Sequence, residues 1–196
     1  IVKPQDYFNT KLYTGNASSS RDITGVGFQP DFTWIKDRDG TFSHILGNAV
    51  SGDNKFLSSN GTAAESTDST KFRTFVSDGF QVGNHNGVNA NSNDYASWNW
   101  LAGASQTLNS GNVTSTVRAN TTAGFSIVKW TGTADNILVS HGLGVIPKVV
   151  MIKNLSNGSA QWVVYHVGTG NTKACYLNTT ATPTTASPLG LSKATP

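Results

Sequence analysis

The sequence is short of several things that enzymes, metal proteins and membrane proteins use. Cys175 is its only cysteine, which excludes an intramolecular disulfide. Its setting, Ala174-Cys175-Tyr176-Leu177, reads as a buried structural thiol, because free cysteines behave as small hydrophobes. Glu65 is the only glutamate, and Asp37, Asp39, Asp53 and Asp78 stand beside glycine or in turn contexts where Asp bonds its own backbone. That leaves no carboxylate pair suited to glycoside hydrolysis. Charged residues make up 13% of the chain, about half the usual share. The 14 basic and 11 acidic residues give a net charge of +3 but form no basic run or stripe, which argues against nucleic-acid binding. No apolar run approaches the roughly 18 residues of a membrane span, and no charged-then-apolar leader opens the sequence. Neither membrane insertion nor secretory export is expected.

The chemistry-bearing motifs are equally sparse. His44, His85, His141 and His166 are isolated from one another, without the short spacing of a zinc site. Asp37-Arg38-Asp39-Gly40 resembles the start of a calcium loop but lacks the spaced ligands and the closing glutamate, so it reads as a turn. No serine has a Gly-x-Ser-x-Gly setting, and no glycine-rich turn leads into a helix. No catalytic residue, metal ligand or cofactor is therefore expected. Asn-x-Ser/Thr triplets at Asn16, Asn60 and Asn178 are what chance produces in a chain so rich in these residues.

What the sequence does have is β structure. Ser, Thr and Asn supply roughly a third of the chain and hydrophobic residues 37%, a polar but uncharged mix that suits turn-rich sheets rather than disorder. No window carries helical periodicity, so helices should be few and short. Strands are expected at Phe32 to Lys36, Phe72 to Val76, Tyr95 to Trp100, Gly124 to Trp130, Lys148 to Lys153 and Trp162 to His166. Trp98 and Trp100, two apart, project from one strand face, which is expected to be core. Turn chemistry at Thr14-Gly15-Asn16, Asp39-Gly40, Asn60-Gly61, Asp78-Gly79, Asn86-Gly87 and Asn157-Gly158 separates the strands. The expected fold is all-β, built of sandwich or jelly-roll-like modules.

The chain also repeats itself. Tyr13-Thr14-Gly15 returns as Trp130-Thr131-Gly132, Pro30 as Pro147 and Ile35-Lys36 as Ile152-Lys153, all at an offset of 117 residues. Phe56-Leu57-Ser58-Ser59 returns as Tyr176-Leu177-Asn178-Thr179 at an offset of 120, as a loop insertion would produce. Residues 1–120 are thus expected to form one β module and residues 121–196 a second, incomplete copy lacking the counterparts of Phe72 to Val76, Asp78 to Gly83 and Tyr95 to Trp100. A sheet cut short exposes unpaired edges, and we expect the chain to be a fragment or processed product, or its missing strands to come from another subunit.

Two surfaces are candidates for binding. The run from Asn84 to Asn93, with Asn84, Asn86, Asn89, Asn91 and Asn93, is expected to form a hydrogen-bonding loop for a ligand or neighbour. Trp34, Trp98, Trp100, Trp130 and Trp162 would stack on sugar rings if exposed, but their recurrence with other large apolar groups at equivalent repeat positions favours core packing.

Motifs along nearly the whole chain resemble a repeat domain of unknown function found in predicted tail-fibre and other virion proteins of marine bacteriophages, especially cyanophages. These are Tyr7-Phe8-Asn9-Thr10 with Leu12-Tyr13-Thr14-Gly15-Asn16, Gly25-Val26-Gly27-Phe28-Gln29-Pro30-Asp31, Lys55-Phe56-Leu57, Ser77-Asp78-Gly79-Phe80, Trp98-Asn99-Trp100, Gly124-Phe125-Ser126-Ile127-Val128 and His141-Gly142-Leu143-Gly144. The resemblance implies a virion structural protein, made in the host cytoplasm and carried on the extracellular particle. It would be non-catalytic and oligomeric, with other copies of itself, neighbouring virion proteins and host surface polysaccharide as partners. A glycan-binding adhesin is the alternative, and a polysaccharide depolymerase is disfavoured by the scarcity of acids.

Overall fold

The computed structural model of the chain describes residues 3–133 and 136–185. The opening Ile1-Val2 and the last residues to Pro196, on which the expected truncation partly rests, lie outside them. The chain is nearly all β. Its only helical elements among the described residues are one turn of α1 (Asn86–Asn89) and 3₁₀ turns at Pro4–Asp6 and Val167–Thr169. Asn86-Gly87, expected as a plain turn, opens α1 because the His85 ring caps it, its Nδ1 accepting from Gly87 N at 2.9 Å.

The first copy builds two antiparallel sheets. In one, β1 (Phe8–Thr14), β9 (Asp94–Trp100), β3 (Phe32–Asp37) and β4 (Ile45–Asn48) lie in the order β1-β9-β3-β4. In the other, β2 (Arg21–Thr24), β8 (Gly79–Val82) and β7 (Phe72–Val76) lie in the order β2-β8-β7. Ile23, Phe72, Phe80 and Val82 from the second sheet meet Ile35, Ile45 and Tyr95 from the first, with Val88 of α1, in one buried cluster. Each such side chain contributes about 1.5–3 kcal/mol by leaving water. A short ribbon of β5 (Lys55–Phe56) and β6 (Ser66–Thr67) closes the side.

The face expected to be core in β9 is corrected. Tyr95, Ser97 and Asn99 are fully buried, while Trp98 and Trp100 lie on the opposite, half-buried face. Polar groups are tolerated inside because they satisfy one another. Thr33 Oγ1 donates to Asn99 Oδ1 at 2.7 Å, and Asn99 Nδ2 donates to Ser97 Oγ at 3.1 Å and to Asn9 O at 3.2 Å. Trp100 packs instead among Phe8, Phe32 and Phe125, with ring centroids 4.8, 5.4 and 5.8 Å away.

Three strands of the second half stand where strands of the first do. β12 (Phe125–Trp130) and β13 (Val149–Ile152) stand at the sequence positions of β1 and β3, and β14 (Val163–His166) pairs with β13 as β4 does with β3. Local bonding recurs as well. Lys36 Nζ ties the turn after β3 through Asp37 O (2.5 Å) and Gly40 O (2.9 Å), and Lys153 Nζ does the same after β13 through Asn154 O (2.8 Å) and Asn157 O (3.1 Å). β10 (Ser105–Leu108) and β11 (Ser115–Asn120) extend β12 into a three-stranded sheet, and β15 (Cys175–Tyr176) joins β14. Cys175, expected to be buried, is half-buried in this short strand.

The two halves lock together. Trp162 is 6% exposed between Leu46 and Leu57, and its Nε1 donates to Ser58 O at 2.9 Å. Within residues 1–120, Asp31, 3% exposed, accepts at Oδ2 from Ala102 N and Gly103 N, both at 2.8 Å, and at Oδ1 from Arg118 Nη1 at 2.7 Å. The carboxylate thereby fixes the connection from β9 into β10 against β11.

Candidate functional site

The asparagine run between β8 and β9 does not act as one group. Asn89 is fully buried. Its Oδ1 accepts from Asn16 N (3.0 Å) and Arg21 Nη1 (3.0 Å), and its Nδ2 donates to Ser18 O (3.0 Å) and Asn16 Oδ1 (3.2 Å). With every hydrogen-bonding position taken, Asn89 is a clamp on the β1–β2 loop and not a ligand group. Asn93 is half-buried, its Nδ2 reaching Asp37 Oδ2 at 3.4 Å. Asn84, Asn86 and Asn91 are exposed, and among the described residues their side-chain amides bond to nothing.

The backbone under that loop is held from inside. The Tyr95 hydroxyl donates to Asn86 O (2.6 Å) and accepts from Ala90 N (2.8 Å), while the Tyr13 hydroxyl donates to Val88 O (2.7 Å). The two rings stack with centroids 5.1 Å apart. Burial raises both phenols above their ordinary pKa, Tyr13 strongly. Beside the loop, Phe42 is 41% exposed with its ring 6.0 Å from that of His85. Three exposed amides and an aromatic edge therefore lie at one end of the first copy, an arrangement that can hydrogen-bond and stack, with Asp37 and Asp39 bonded at its Asn93–Asp94 side.

Each histidine is spent on structure at Nδ1. His44 accepts there from Trp34 Nε1 (2.7 Å), His85 from Gly87 N, His141 from Leu143 N (3.2 Å) and His166 from Gly168 N (3.0 Å). Burial lowers the pKa of His44 and His85. The aspartate of the β7–β8 turn has a similar role. Asp78 reaches across to the β2–β3 loop, where its two carboxylate oxygens accept from Gly25 N (2.8 Å) and Gly27 N (2.6 Å). Those two bonds hold its pKa below the usual carboxylate value. Gly25 and Gly27 have φ of +84° and +93°, the left-handed backbone that turns successive N–H groups toward one anion.

The tryptophans divide. Trp162 is buried, and Trp34, Trp98, Trp100 and Trp130 are half-buried. Trp34 and Trp98 stand opposite each other across β3 and β9, with Thr10 next in the row. Leu12, on the same face of β1, is 62% exposed. Other exposed apolar side chains gather in the second half, with Leu138, Val145, Ile146, Val149, Met151 and Val167 all 46% exposed or more. Repeat position alone did not foretell this, because the first-half equivalents of Val149 and Met151, Phe32 and Trp34, are half-buried.

No curated protein and no solved structure matches the chain. Residues 3–195, both halves together, match one family, described as a domain of unknown function (DUF7483), and the chain belongs to that family.

Proposed function

We propose that the chain is a non-catalytic structural protein of a bacteriophage virion, forming part of a tail fibre, appendage or head decoration and assembling as an oligomer. Its partners are other copies of itself and neighbouring virion proteins, with host surface polysaccharide as the outward contact. The observation that carries the assembly part is the concentration of exposed apolar side chains on the second half, on a chain otherwise poor in charge. Exposed apolar side chains concentrated in one half suit an interface. The phage setting rests on the motif resemblance. Immunogold labelling of purified phage particles with antibody against the chain tests it: label on the particle surface is expected. Bare particles, with the chain recovered only from the soluble lysate, would overturn it.

A second reading, a glycan-binding module, is favoured by one observation. Trp98, Trp34 and exposed Leu12 share a partly open sheet face, and aromatic faces stack on sugar rings. Glycan-array binding that weakens in Trp98→Ala would support this reading. A silent array with tryptophan fluorescence shielded from quenchers would remove it.

A further inference from the structure

In the first copy β9 lies between β1 and β3, and the backbone bonds show which atoms meet it. Arg38 N bonds to Asp94 O and Ala49 N to Asp31 O, both at 2.8 Å. Even-numbered residues of β3 therefore point their backbone groups at β9 and odd-numbered ones at β4, as alternation in an antiparallel sheet requires. In β13 the bond from Val167 N to Lys148 O, 2.8 Å, turns even-numbered residues toward β14. The N–H and C=O groups of Val149 and Met151 consequently face the other edge, the one that β9 covers on β3. Among the described residues no strand pairs there, and Val149 and Met151 are 47% and 46% exposed.

An independent feature calls for the same piece. Gly142 and Gly144, with φ of +73° and +69°, repeat the geometry of Gly25 and Gly27 at the 117-residue offset, and Leu143 is buried between them as Val26 is in the first copy. In the first copy the Asp78 carboxylate receives those two N–H groups. Among the described residues Gly142 N and Gly144 N have no acceptor, and only Leu143 N is bonded, to His141 Nδ1. Edge and loop are both served in the first copy by the segment from β7 through β9, and its mark Trp98-Asn99-Trp100 occurs once in the sequence.

We infer that the second copy is an acceptor for a segment equivalent to residues 72–100 of a further repeat of this family. The donated strand pairs antiparallel with β13 at Val149 and Met151 and sets an aspartate on the Gly142–Gly144 N–H groups. Strand addition to an open edge draws its affinity from main-chain bonds and its selectivity from alternate side chains. Strand acceptance is argued from the β13 edge and the Gly142–Gly144 loop and is independent of the virion reading.

The test is fluorescence anisotropy of a labelled peptide of residues 92–102 titrated with the full chain. Saturable binding is expected. Methylating the backbone nitrogens of Ala96 and Trp98, which face β3 in the first copy, should abolish it, as should Met151→Pro in the protein. The methylated peptide keeps the test valid even if Met151→Pro unfolds the second copy. A longer peptide of residues 70–102 should bind about tenfold more tightly than its Asp78→Asn version, the effect of charge-assisted bonds to two N–H groups. Absence of saturable binding, or methylated peptide binding as well as unmodified, would overturn the inference. So would a concentration-dependent dimer that Met151→Pro dissolves and the peptide does not touch, since that would assign the edge to β13 self-pairing.

Discussion

Asp31→Ala removes the carboxylate that holds the β9–β10 connection and β11 to the start of β3. Asp31 is 3% exposed and receives two backbone N–H groups at 2.8 Å and the Arg118 guanidinium at 2.7 Å. Truncation strands a partly buried cation whose Nε already has no partner. Breaking a buried pair from one side costs about 3–5 kcal/mol. For a chain of 196 residues each kcal/mol shifts Tm by about 2–4 °C, so a fall of roughly 6–20 °C is expected. Thermal unfolding followed by circular dichroism and by tryptophan fluorescence reads it, the fluorescence reporting Trp100 in its aromatic cluster. Arg118→Leu and the double variant complete a cycle in which the double variant should cost at least about 1 kcal/mol less than the two single costs combined. A Tm within 2 °C of wild type, or strictly additive losses, would refute the claim that this pair is a coupled anchor.

Other consequences follow from the same hydrogen bonds. Tyr95→Phe leaves Asn86 O and Ala90 N without their partner and should cost about 1–3 kcal/mol in urea unfolding, with Asn84 to Asn93 losing amide protection first. His44 and His85 have pKa values lowered by burial. Their contribution to stability is therefore complete above the unfolded value of about 6.5 and declines as pH falls below it toward the lowered folded values. Urea titrations between about pH 7.5 and 5 should show that decline, and it should flatten in the His44→Gln, His85→Gln double variant. Asp78→Asn should release the Gly25 and Gly27 amides to faster hydrogen exchange while leaving β3 protected. Unchanged protection at both glycines would contradict the assigned bonds.

Six of the strands were legible in sequence because they are written in local pattern. Alternation and turn residues located β3, β7, β9, β12, β13 and β14 to within a residue, and β12 and β13 begin 117 residues after β1 and β3. The inside face of β9 was not legible. Hydrophobicity points to Trp98 and Trp100, but the buried face carries Ser97 and Asn99, which enter the interior only because Thr33 and Asn9 satisfy them from neighbouring strands. The same blindness affected Asn89. In sequence it is one of five similar asparagines, and only the three-dimensional approach of Asn16, Ser18 and Arg21 makes it a buried clamp. Gly25-Val26-Gly27 and Ser77-Asp78-Gly79 were visible as separate motifs, and their union through the Asp78 carboxylate required the fold.

The measurement that bears most directly on the central claim, that this is an assembly protein, is the native mass of the full chain by light scattering over a micromolar concentration series. The account predicts a discrete oligomer, whose association weakens when the exposed Val145 and Ile146 are replaced by lysine. A monomer at every concentration, with the second half folded and its apolar side chains exposed, would contradict it.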